Sequence, residues 1–325
     1  MYTSEEINEI VESGIRELKL VKDPQELYTP LDYMMSIGGK RLRPRIALTV
    51  YNLFKDKIDE SILYPAIALE VFHGFTLIHD DIMDKAPLRR GHETVHTKWN
   101  NNIAILSGDV MCIKSFEYLV YTPKEKLKCV LDLFTRTAAE VCEGQQYDMN
   151  FESGNEISIE DYNRMIGLKT AVLIACSAKL GAIIGGADEQ KADTLYKLFY
   201  LLGMAFQIKD DYLDTFGDTS TFGKEIGGDI MNNKKTWLLI NALNHTKGSE
   251  KSELEGLLDD NRLPSAEKIE RVTALYIKLG VKERAENAIE RYYHEAIDLL
   301  SGAGFDDVQM SVLGKIARML VLRSK

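Results

Sequence analysis

The chain has 325 residues, of which 45% are hydrophobic and 28% are charged. This is the balance of a globular protein that is long enough to bury a sizeable core. The formal net charge is −10, so a nucleic acid is not an expected partner, because its phosphates would be repelled.

Nothing in the sequence predicts secretion or a membrane span. Residues 1–18 contain neither the basic region nor the long apolar region of a secretory signal. The longest apolar stretch, 171–186, is interrupted by Lys179 and is short for a bilayer. The four cysteines form no CxxC pair, which favours a reducing compartment over a disulfide frame or a zinc site. We therefore expect a cytoplasmic protein without a transmembrane segment.

Most of the chain shows the hydrophobic periodicity of helices, and no run predicts a strand ladder. Thr3 with Glu6, and Thr122 with Glu125, match the capping box that begins a helix. The long helices are predicted at 59–84, 99–119, 123–152, 158–184, 188–214, 232–246, 265–279 and 281–302. No linker rich in proline or serine divides the chain, so we expect one all-α domain over 1–325.

One irregular stretch, residues 217–236, is rich in glycine, aspartate and lysine. It directly follows the acidic sequence DDYLD at 210–214. A loop beside a carboxylate site can act as a lid, but a plain surface connection has the same composition. Both interpretations remain open from the sequence.

The sequence DDYLD has a counterpart in DDIMD at 80–84, and each follows an apolar and aromatic run. Residues four apart lie on one helix face, so Asp80 projects with Asp84, and Asp210 projects with Asp214. Such carboxylates repel each other unless a cation lies near them. Facing carboxylates in a helical bundle make an all-oxygen site that suits Mg²⁺ rather than zinc. A solvated acidic face explains one such motif equally well, but two copies argue against it.

Basic residues lie near both acidic motifs in the sequence. Mg²⁺ held by few carboxylates completes its coordination with water and substrate phosphate, so phosphate-binding cations are expected beside it. The candidates are Lys40, Arg41, Arg43, Arg45, Arg89, Arg90, Lys169, Lys224, Lys234 and Lys235. Any one of them is typical of a surface charge, but together, in an acidic chain, they indicate a bound polyanion.

Seven sequence blocks, in this order, resemble those of the trans-isoprenyl diphosphate synthases, the head-to-tail prenyltransferases. They are GGKRLRP (38–44), HGFTLIHDDIMD (73–84), RRG (89–91), GQQYD (144–148), KTA (169–171), FQIKDDYLD (206–214) and GKEIGGDIMNNKKTW (223–237). The resemblance implies an all-α bundle of long helices around a deep central cavity, a homodimer, and Mg²⁺ as the cofactor. It also implies condensation of isopentenyl diphosphate with an allylic diphosphate, either dimethylallyl, geranyl or farnesyl diphosphate.

The same resemblance assigns roles to residues at matching positions. The expected metal ligands are Asp80, Asp84 and Asp210, with Asp81, Asp211 and Asp214 as supporting ligands or as groups that hold those ligands. The cations expected on the allylic diphosphate are Arg89, Lys169 and Lys224, with Lys234 as a further substrate contact. The residues expected on isopentenyl diphosphate are Lys40, Arg43, His73 and Arg90.

The implied chemistry is electrostatic. Mg²⁺ and the cations would neutralise charge on the departing pyrophosphate, and the cavity would exclude water from the allylic cation. The isopentenyl double bond would attack this cation, and a proton would then pass to the released pyrophosphate. Thr170 and Gln207 would turn their oxygen dipoles towards the cation. From the residues alone, both are also typical of helix packing, as is His73, seven residues before Asp80.

Product length is predicted from the side chains that precede the first motif. At about 1.5 Å rise per residue, Phe75 lies roughly 7.5 Å and Phe72 roughly 12 Å before Asp80. In the family, an aromatic residue five positions before the motif accompanies short products. Phe75, with Thr76 beside it, therefore favours farnesyl or geranylgeranyl diphosphate over octaprenyl or longer products. Phe72 shifts the expectation slightly towards farnesyl if its ring faces the cavity.

Two other functions share some of these features. A class I terpene cyclase also has DDxxD and Mg²⁺, but it needs no isopentenyl diphosphate site, and its second motif differs from DDYLD. A non-catalytic regulatory subunit of a heteromeric prenyl synthase generally lacks some of the aspartates, and all six are present here. Both functions remain alternatives to a short-chain prenyltransferase.

Overall fold

The computed structural model describes residues 1–154, 157–217, 226–260 and 262–321. The helices within these residues, numbered in chain order, are α1 Ser4–Arg16, α2 Gln25–Ser36, α3 Leu42–Tyr51, α4 Glu60–Met83, α5 Val95–Lys98, α6 Asn101–Leu119, α7 Lys124–Ser153, α8 Ile159–Ile166, α9 Val172–Gly185, α10 Glu189–Phe216, α11 Gly228–Met231, α12 Trp237–His245, α13 Ser249–Asp259, α14 Ser265–Lys278, α15 Val281–Asp298 and α16 Asp307–Val321. A π-helical turn, Gly167–Ala171, joins α8 to α9. The described residues contain a single strand pair, β1 Leu88–Arg89 with β2 His92–Glu93. The predicted all-α class is confirmed.

The chain divides into two compact units. The first comprises Met1–Arg136 and Cys176–Leu195, and the second comprises Thr137–Ala175 and Tyr196–Lys325. The division falls inside α7, α9 and α10 and not at a linker. The organisation as one domain over 1–325 stays a prediction.

In the first unit, α4 is the central helix and packs on α1, α2, α3, α5 and α6. Asp59 caps its N-terminus, because the Asp59 carboxylate accepts a hydrogen bond of 3.0 Å from the Ser61 N–H. The fully buried side chains along α4 include Ile62, Ile67, Leu69 and Phe72. The DDIMD motif therefore occupies the last turn of a helix that is anchored on several sides.

A tight hairpin then returns the chain towards α4. Its two tip residues, Arg90 and Gly91, have φ angles of 53° and 78°. Positive φ at both positions is the requirement of a type I′ turn, whose twist matches that of the flanking strands. The hairpin places Arg89 and Arg90 close to the end of α4, as the contacts described below show.

In the second unit, α12 packs on α8 and α15, while α14 packs on α11, α13 and α15. Local capping defines where two of these helices begin. Ser158 and Asp161 form a capping box at the start of α8. Thr236 caps α12 by accepting a hydrogen bond of 3.3 Å from the Leu239 N–H. These caps position the residues next to the second acidic motif.

Three details of the predicted helices are wrong. The helix predicted over 158–184 is interrupted by the π-helical turn. The helix predicted over 232–246 begins only at Trp237, since Thr236 caps it. Thr122 forms no capping box, because its hydroxyl is buried without a hydrogen-bond partner. The capping box of Thr3 with Glu6 is confirmed.

Two helical stretches, Glu60–Met83 and Ile159–Gly185, are long and apolar enough to cross a membrane. Of the most apolar window in each, 61% and 78% respectively is buried inside the protein. Their length and composition are therefore those of core helices, which agrees with the expected lack of a transmembrane segment.

Candidate active site

In the first acidic motif, Asp81 pairs with Arg89, and Asp80 and Asp84 lie on one helix face. Asp81 is 2% exposed, and both of its oxygens accept hydrogen bonds of 2.7–2.9 Å from the Arg89 guanidinium. Burial raises the pKa of Asp81 above its ordinary value, although Arg89 opposes the shift. Asp80 is half-buried and Asp84 is exposed. Asp81 thus orients Arg89, and Asp80 with Asp84 present carboxylates one helical turn apart.

Four arginines lie close to His73, which is two helical turns before Asp80 on α4. Burial lowers the pKa of His73 well below 6.5, and the nearby charges of Arg43, Arg90, Arg89 and Arg41 lower it further. Burial also lowers the pKa of Arg43 to about 10, with Glu70 opposing and Arg90 adding to the shift. His73 is therefore a neutral imidazole within strong positive potential, which suits a hydrogen bond to an anion.

A buried ion pair of Arg41 with Glu70 lies beside this cluster. Both are buried, with exposed fractions of 3% and 4%, and Arg41 Nη1 donates to Glu70 Oε1 at 3.1 Å. Arg41 also donates to the Met35 carbonyl. A buried guanidinium is stable only when it is paired and hydrogen-bonded. Arg41, a candidate cation for a bound polyanion, thus pairs with Glu70 inside the protein. Glu70 was not predicted as a site residue, although a glutamate inside the apolar run IALEVF was a visible signal.

Gly38 and Gly39 let the side chain of Arg90 lie against the backbone. Arg90 donates a hydrogen bond to the Gly38 carbonyl. Gly39 has a φ of 140°, and a Cβ built on it would lie 2.4 Å from Arg90 Nη1. A side chain at position 39 would therefore displace Arg90. Lys40 follows as an exposed cation.

The neutral state of His73 predicts how stability depends on pH. The unfolded chain takes up a proton on this residue below about pH 6.5, and the folded chain does not, so stability falls as the pH drops below that value. We expect His73→Gln to reduce this fall, measured as the urea midpoint at about pH 5.5 and about pH 7.5. His294→Gln, at an exposed histidine on α15, is the control and should keep the wild-type fall. An unchanged pH dependence in His73→Gln would contradict the prediction.

In the second unit, Asp211 is held by three donors. It is 4% exposed and accepts hydrogen bonds from the Tyr162 hydroxyl, from the Trp237 N–H at 2.9 Å and from Gln207 Nε2 at 3.1 Å. Burial raises the pKa of Asp211 to about 7, and the nearby charge of Asp229 contributes. A carboxylate with three protein donors has little capacity left for a metal, so Asp211 supports its neighbours.

Asp214 also bonds to the protein. Its Oδ2 accepts a hydrogen bond of 3.0 Å from the Asp229 N–H, and its carbonyl accepts one of 2.7 Å from the Gly227 N–H. Asp214 therefore holds the start of α11 against the end of α10. Asp210, the remaining aspartate of DDYLD, is half-buried.

The π-helical turn carries the two predicted residues of KTA. Lys169 Nζ donates to Asp148 at 2.7 Å, and Thr170 Oγ1 donates to Gln207 Oε1 at 3.0 Å. Gln207 in turn donates to Asp211, so one hydrogen-bonded chain connects Thr170 to the second acidic motif. Single π-helical turns inside α-helices are frequent at functional sites.

Glycines allow the backbone to approach this turn. A Cβ at Gly144 would lie 2.3 Å from the Lys169 nitrogen, and a Cβ at Gly203 would lie 2.8 Å from the Ala171 Cα. Both contacts are with backbone atoms, which cannot move away cheaply. Gly144, on α7, and Gly203, on α10, thus determine where the π-helical turn sits.

Comparison with known proteins identifies the family. The sequence profile of the polyprenyl synthetases matches residues 24–276. The chain belongs to the polyprenyl synthetase family. This confirms the resemblance inferred from the seven sequence blocks, and with it the prediction of a prenyltransferase.

Individual polyprenyl synthetases are similar over much or all of the chain. Geranylgeranyl diphosphate synthase from Methanosarcina mazei is 42% identical over 235 residues, which cover 71% of this chain and 72% of that one. The enzyme of the same name from Sulfolobus acidocaldarius is 36% identical over 331 aligned residues, covering 100% of this chain and 99% of that one. A crystal structure of a geranylgeranyl pyrophosphate synthase has a TM-score of 0.93 at 38% identity, with both chains covered completely. The isoprenoid synthase fold is confirmed.

The donor chemistry of the acidic motifs fits the Mg²⁺ expected for a polyprenyl synthetase. Only carboxylate oxygens are offered, and Asp80 with Asp84 present them one turn apart, as Mg²⁺ prefers. Among the described residues, no group of three or more His, Cys, Asp or Glu side chains lies close enough to form a complete metal site. Mg²⁺ sites in proteins commonly complete their coordination with water and substrate phosphate.

The residues predicted to determine product length lie on α4, and the predicted lysines Lys224 and Lys234 follow the second acidic motif. Phe75 and Thr76 are half-buried on α4, while Phe72 is 1% exposed and packs edge-on against Phe134 with ring centroids 5.2 Å apart. Lys234 is exposed and lies 3.8 Å from Asp229. Lys224 lies outside the described residues. Phe72 packs as a core side chain, and the roles of Phe72, Phe75 and Thr76 in product length stay predictions.

Proposed function

We propose that this polyprenyl synthetase condenses isopentenyl diphosphate with allylic diphosphates and that geranylgeranyl diphosphate is its main product. The observation that carries diphosphate binding is the placement of His73 near four arginines, two turns before Asp80 on α4. The names of the relatives from Methanosarcina mazei and Sulfolobus acidocaldarius support geranylgeranyl over the farnesyl product that the sequence slightly favoured.

Isopentenyl diphosphate is assigned to the arginine cluster. Lys40, Arg43 and Arg90 supply charge, and the neutral His73 supplies a hydrogen-bond donor without adding a further charge. The buried Arg41–Glu70 pair keeps the cluster in place before the substrate arrives, because neither side chain can move into water. A preorganised cluster binds the anionic diphosphate head group without the free-energy cost of rearranging its own side chains.

The allylic diphosphate is assigned to Arg89, Lys169 and Lys234, with Asp80, Asp84 and Asp210 as the residues that would hold Mg²⁺. When bound, Mg²⁺ would neutralise negative charge on the departing pyrophosphate. Arg89 is oriented by Asp81, and Lys169 is oriented by Asp148. The hydroxyl oxygen of Thr170 keeps its lone pairs while its proton points to Gln207, so that oxygen can face a developing positive charge.

The proposed function is tested by incubating the purified chain with Mg²⁺, labelled isopentenyl diphosphate and each allylic primer in turn. We expect all-trans products that end at geranylgeranyl diphosphate. Cyclic hydrocarbons formed without isopentenyl diphosphate would identify a terpene cyclase. A chain that forms product only after a second polypeptide is added would be the regulatory subunit.

Product length should depend on Phe75. Its ring lies 5.4 Å from that of Phe72 but is half-buried, whereas Phe72 is enclosed by the core. We expect Phe75→Ala to shift the product to longer chains, measured by chromatography of the dephosphorylated prenols. Phe72→Ala should instead destabilise the fold by about 3–5 kcal/mol, as for other buried phenylalanines. An unchanged product profile in Phe75→Ala would reject its role.

The apolar outer face of α6 supports the proposed homodimer. Leu106 and Ile113 on α6, and Val120 directly after its end, are seven residues apart and are 56%, 65% and 64% exposed, so they form one stripe. Monomeric proteins rarely leave such a stripe uncovered, and a second copy of the chain is the proposed cover.

The dimer is tested with a charge in this stripe. Ile113→Lys should give a monomer in light scattering, because a lysine buried in an interface would be unpaired. Ile277→Lys changes an isoleucine of α14 that is 49% exposed and should leave the mass unchanged. A dimer in the Ile113→Lys variant would place the interface elsewhere.

We also propose a cytoplasmic location. The two helices with membrane-like composition are mostly buried inside the protein, and the predicted substrates are charged and water-soluble in their short-chain forms.

A further inference from the structure

A buried lysine on α14 has no part in the function described so far. Lys268 is 2% exposed, and its ammonium group donates to the Leu258 carbonyl at 2.8 Å and to Asn233 Oδ1 at 3.0 Å. Burial of an ammonium group is costly, and the start of α14 at Ser265 is the end of the helix that disfavours a cation. Both costs indicate that the ammonium group of Lys268 has a role other than packing.

The hydrogen-bond partners of Lys268 indicate this role. Leu258 lies in the last turn of α13, where carbonyl groups have no partner within the helix. Its carbonyl also accepts a hydrogen bond of 3.0 Å from Asn233 Nδ2. Asn233 has a φ of 50°, a left-handed conformation that asparagine tolerates better than most residues. The lysine, the carbonyl and the asparagine amide thus close a ring of three hydrogen bonds that holds Asn233 in this conformation.

Asn233 lies in the middle of the return segment, residues 227–237, which leads from the second acidic motif to α12. Both ends of this segment are bonded to the motif, through Asp214 at its start and Asp211 at its end. The ring around Lys268 is a third anchor, between these two ends. The residue after Asn233 is Lys234, whose side chain is 57% exposed and lies 3.8 Å from Asp229.

We propose that Lys268 is a positioning residue for substrate binding: through Asn233 it holds the return segment so that Lys234 lies beside the second acidic motif and binds the allylic diphosphate. The inference rests on the proposed function, in which Lys234 contacts that diphosphate. Lys268 itself, enclosed between α13 and α14, does not touch substrate.

Lys268→Met is the first test. It removes the ammonium group while keeping an apolar chain of similar length. We expect KM for the allylic diphosphate to rise about tenfold with kcat nearly unchanged, the size expected when a hydrogen bond to a charged group is lost from binding. Asn233→Gly keeps the left-handed conformation but removes the ring, and should give the same rise if Lys268→Met does not fold. Lys278→Met, on the same helix but 62% exposed, should leave KM unchanged.

A double-mutant cycle separates positioning from general stability. If Lys268 acts through Lys234, the variant Lys234→Met/Lys268→Met should have the same KM as Lys234→Met alone. Additive effects, or a wild-type KM in both Lys268→Met and Asn233→Gly, would overturn the proposal.

Binding of inorganic pyrophosphate in the presence of Mg²⁺, measured by calorimetry, distinguishes this inference from the proposed function. A wild-type chain that makes no prenyl product would refute the function. The inference would still stand if Lys268→Met weakened pyrophosphate binding about tenfold relative to wild type. It would fail if the affinity were unchanged, or if the wild-type chain bound no pyrophosphate.

Discussion

Asp80→Ala and Asp210→Ala are each expected to lower kcat by about a thousandfold, the upper range for loss of one preorganised electrostatic group. Each change removes a carboxylate proposed to hold Mg²⁺, a role in which Asp81 and Asp211 do not replace it. Asp81 is engaged by Arg89, and Asp211 is engaged by three donors. The measurement is incorporation of labelled isopentenyl diphosphate at saturating Mg²⁺.

The fold should survive both changes, because Asp80 and Asp210 are only half-buried. Circular dichroism and the thermal midpoint check this. Asp132→Ala is the matched control, since Asp132 is 57% exposed on α7 and pairs only with Lys128 at the surface. Turnover within about tenfold of wild type in either motif variant would contradict the assignment of that aspartate.

Lys169→Gln should lower kcat/KM for the allylic diphosphate about a hundredfold, because a cation placed at the leaving group stabilises the charge that develops on it. The π-helical turn gives Lys169 its position, and Asp148 holds its ammonium group at 2.7 Å. Glutamine keeps most of the side-chain length and a hydrogen-bond donor, so the comparison isolates the charge. Steady-state kinetics with geranyl diphosphate as the varied substrate give the ratio.

Lys179, which matches Lys169 in exposure and in its pairing with an aspartate, serves as the control. Lys179 is 26% exposed and donates to Asp193 at 2.5 Å, while Lys169 is 24% exposed. Lys179→Gln removes an ion pair of the same kind from α9, at a position outside the seven sequence blocks, and should leave kcat/KM within about twofold of wild type. Equal losses in both variants would mean that Lys169 contributes through stability and not through charge at the leaving group.

Several elements were predictable because their signals are local. The periodicity of α4, α6, α7 and α10 predicted their bounds to within two residues, since each buries a continuous apolar face or is buried all round. α3 was not predicted: nearly all of its turns are buried, so it lacks the alternation of apolar and polar faces that marks a helix in sequence. The turn at 167–171 was also missed, because a π-helical turn depends on what packs against it.

The site residues also divide into those with a local sequence signal and those that depend on tertiary contacts. The carboxylate pairs, the cations and the histidine were identified from residue type and spacing, and from a resemblance that the family match confirms. Which aspartates carry protein partners was not predictable. Asp211 meets Tyr162, 49 residues away, and Glu70 meets Arg41, 29 residues away. No local pattern predicts such pairs.

By itself, the sequence determined the helical class, the family and the kind of ligand, because helical periodicity and the order of charged motifs are written in consecutive residues. Only the tertiary structure decided which charges are available to substrate and which hold the protein together. Lys268 makes the point most clearly: in the sequence it is one lysine in a polar helix, yet folding buries it between Leu258 and Asn233. The reason is physical, since the cost of burying a charge and the partners that offset it exist only once distant segments meet.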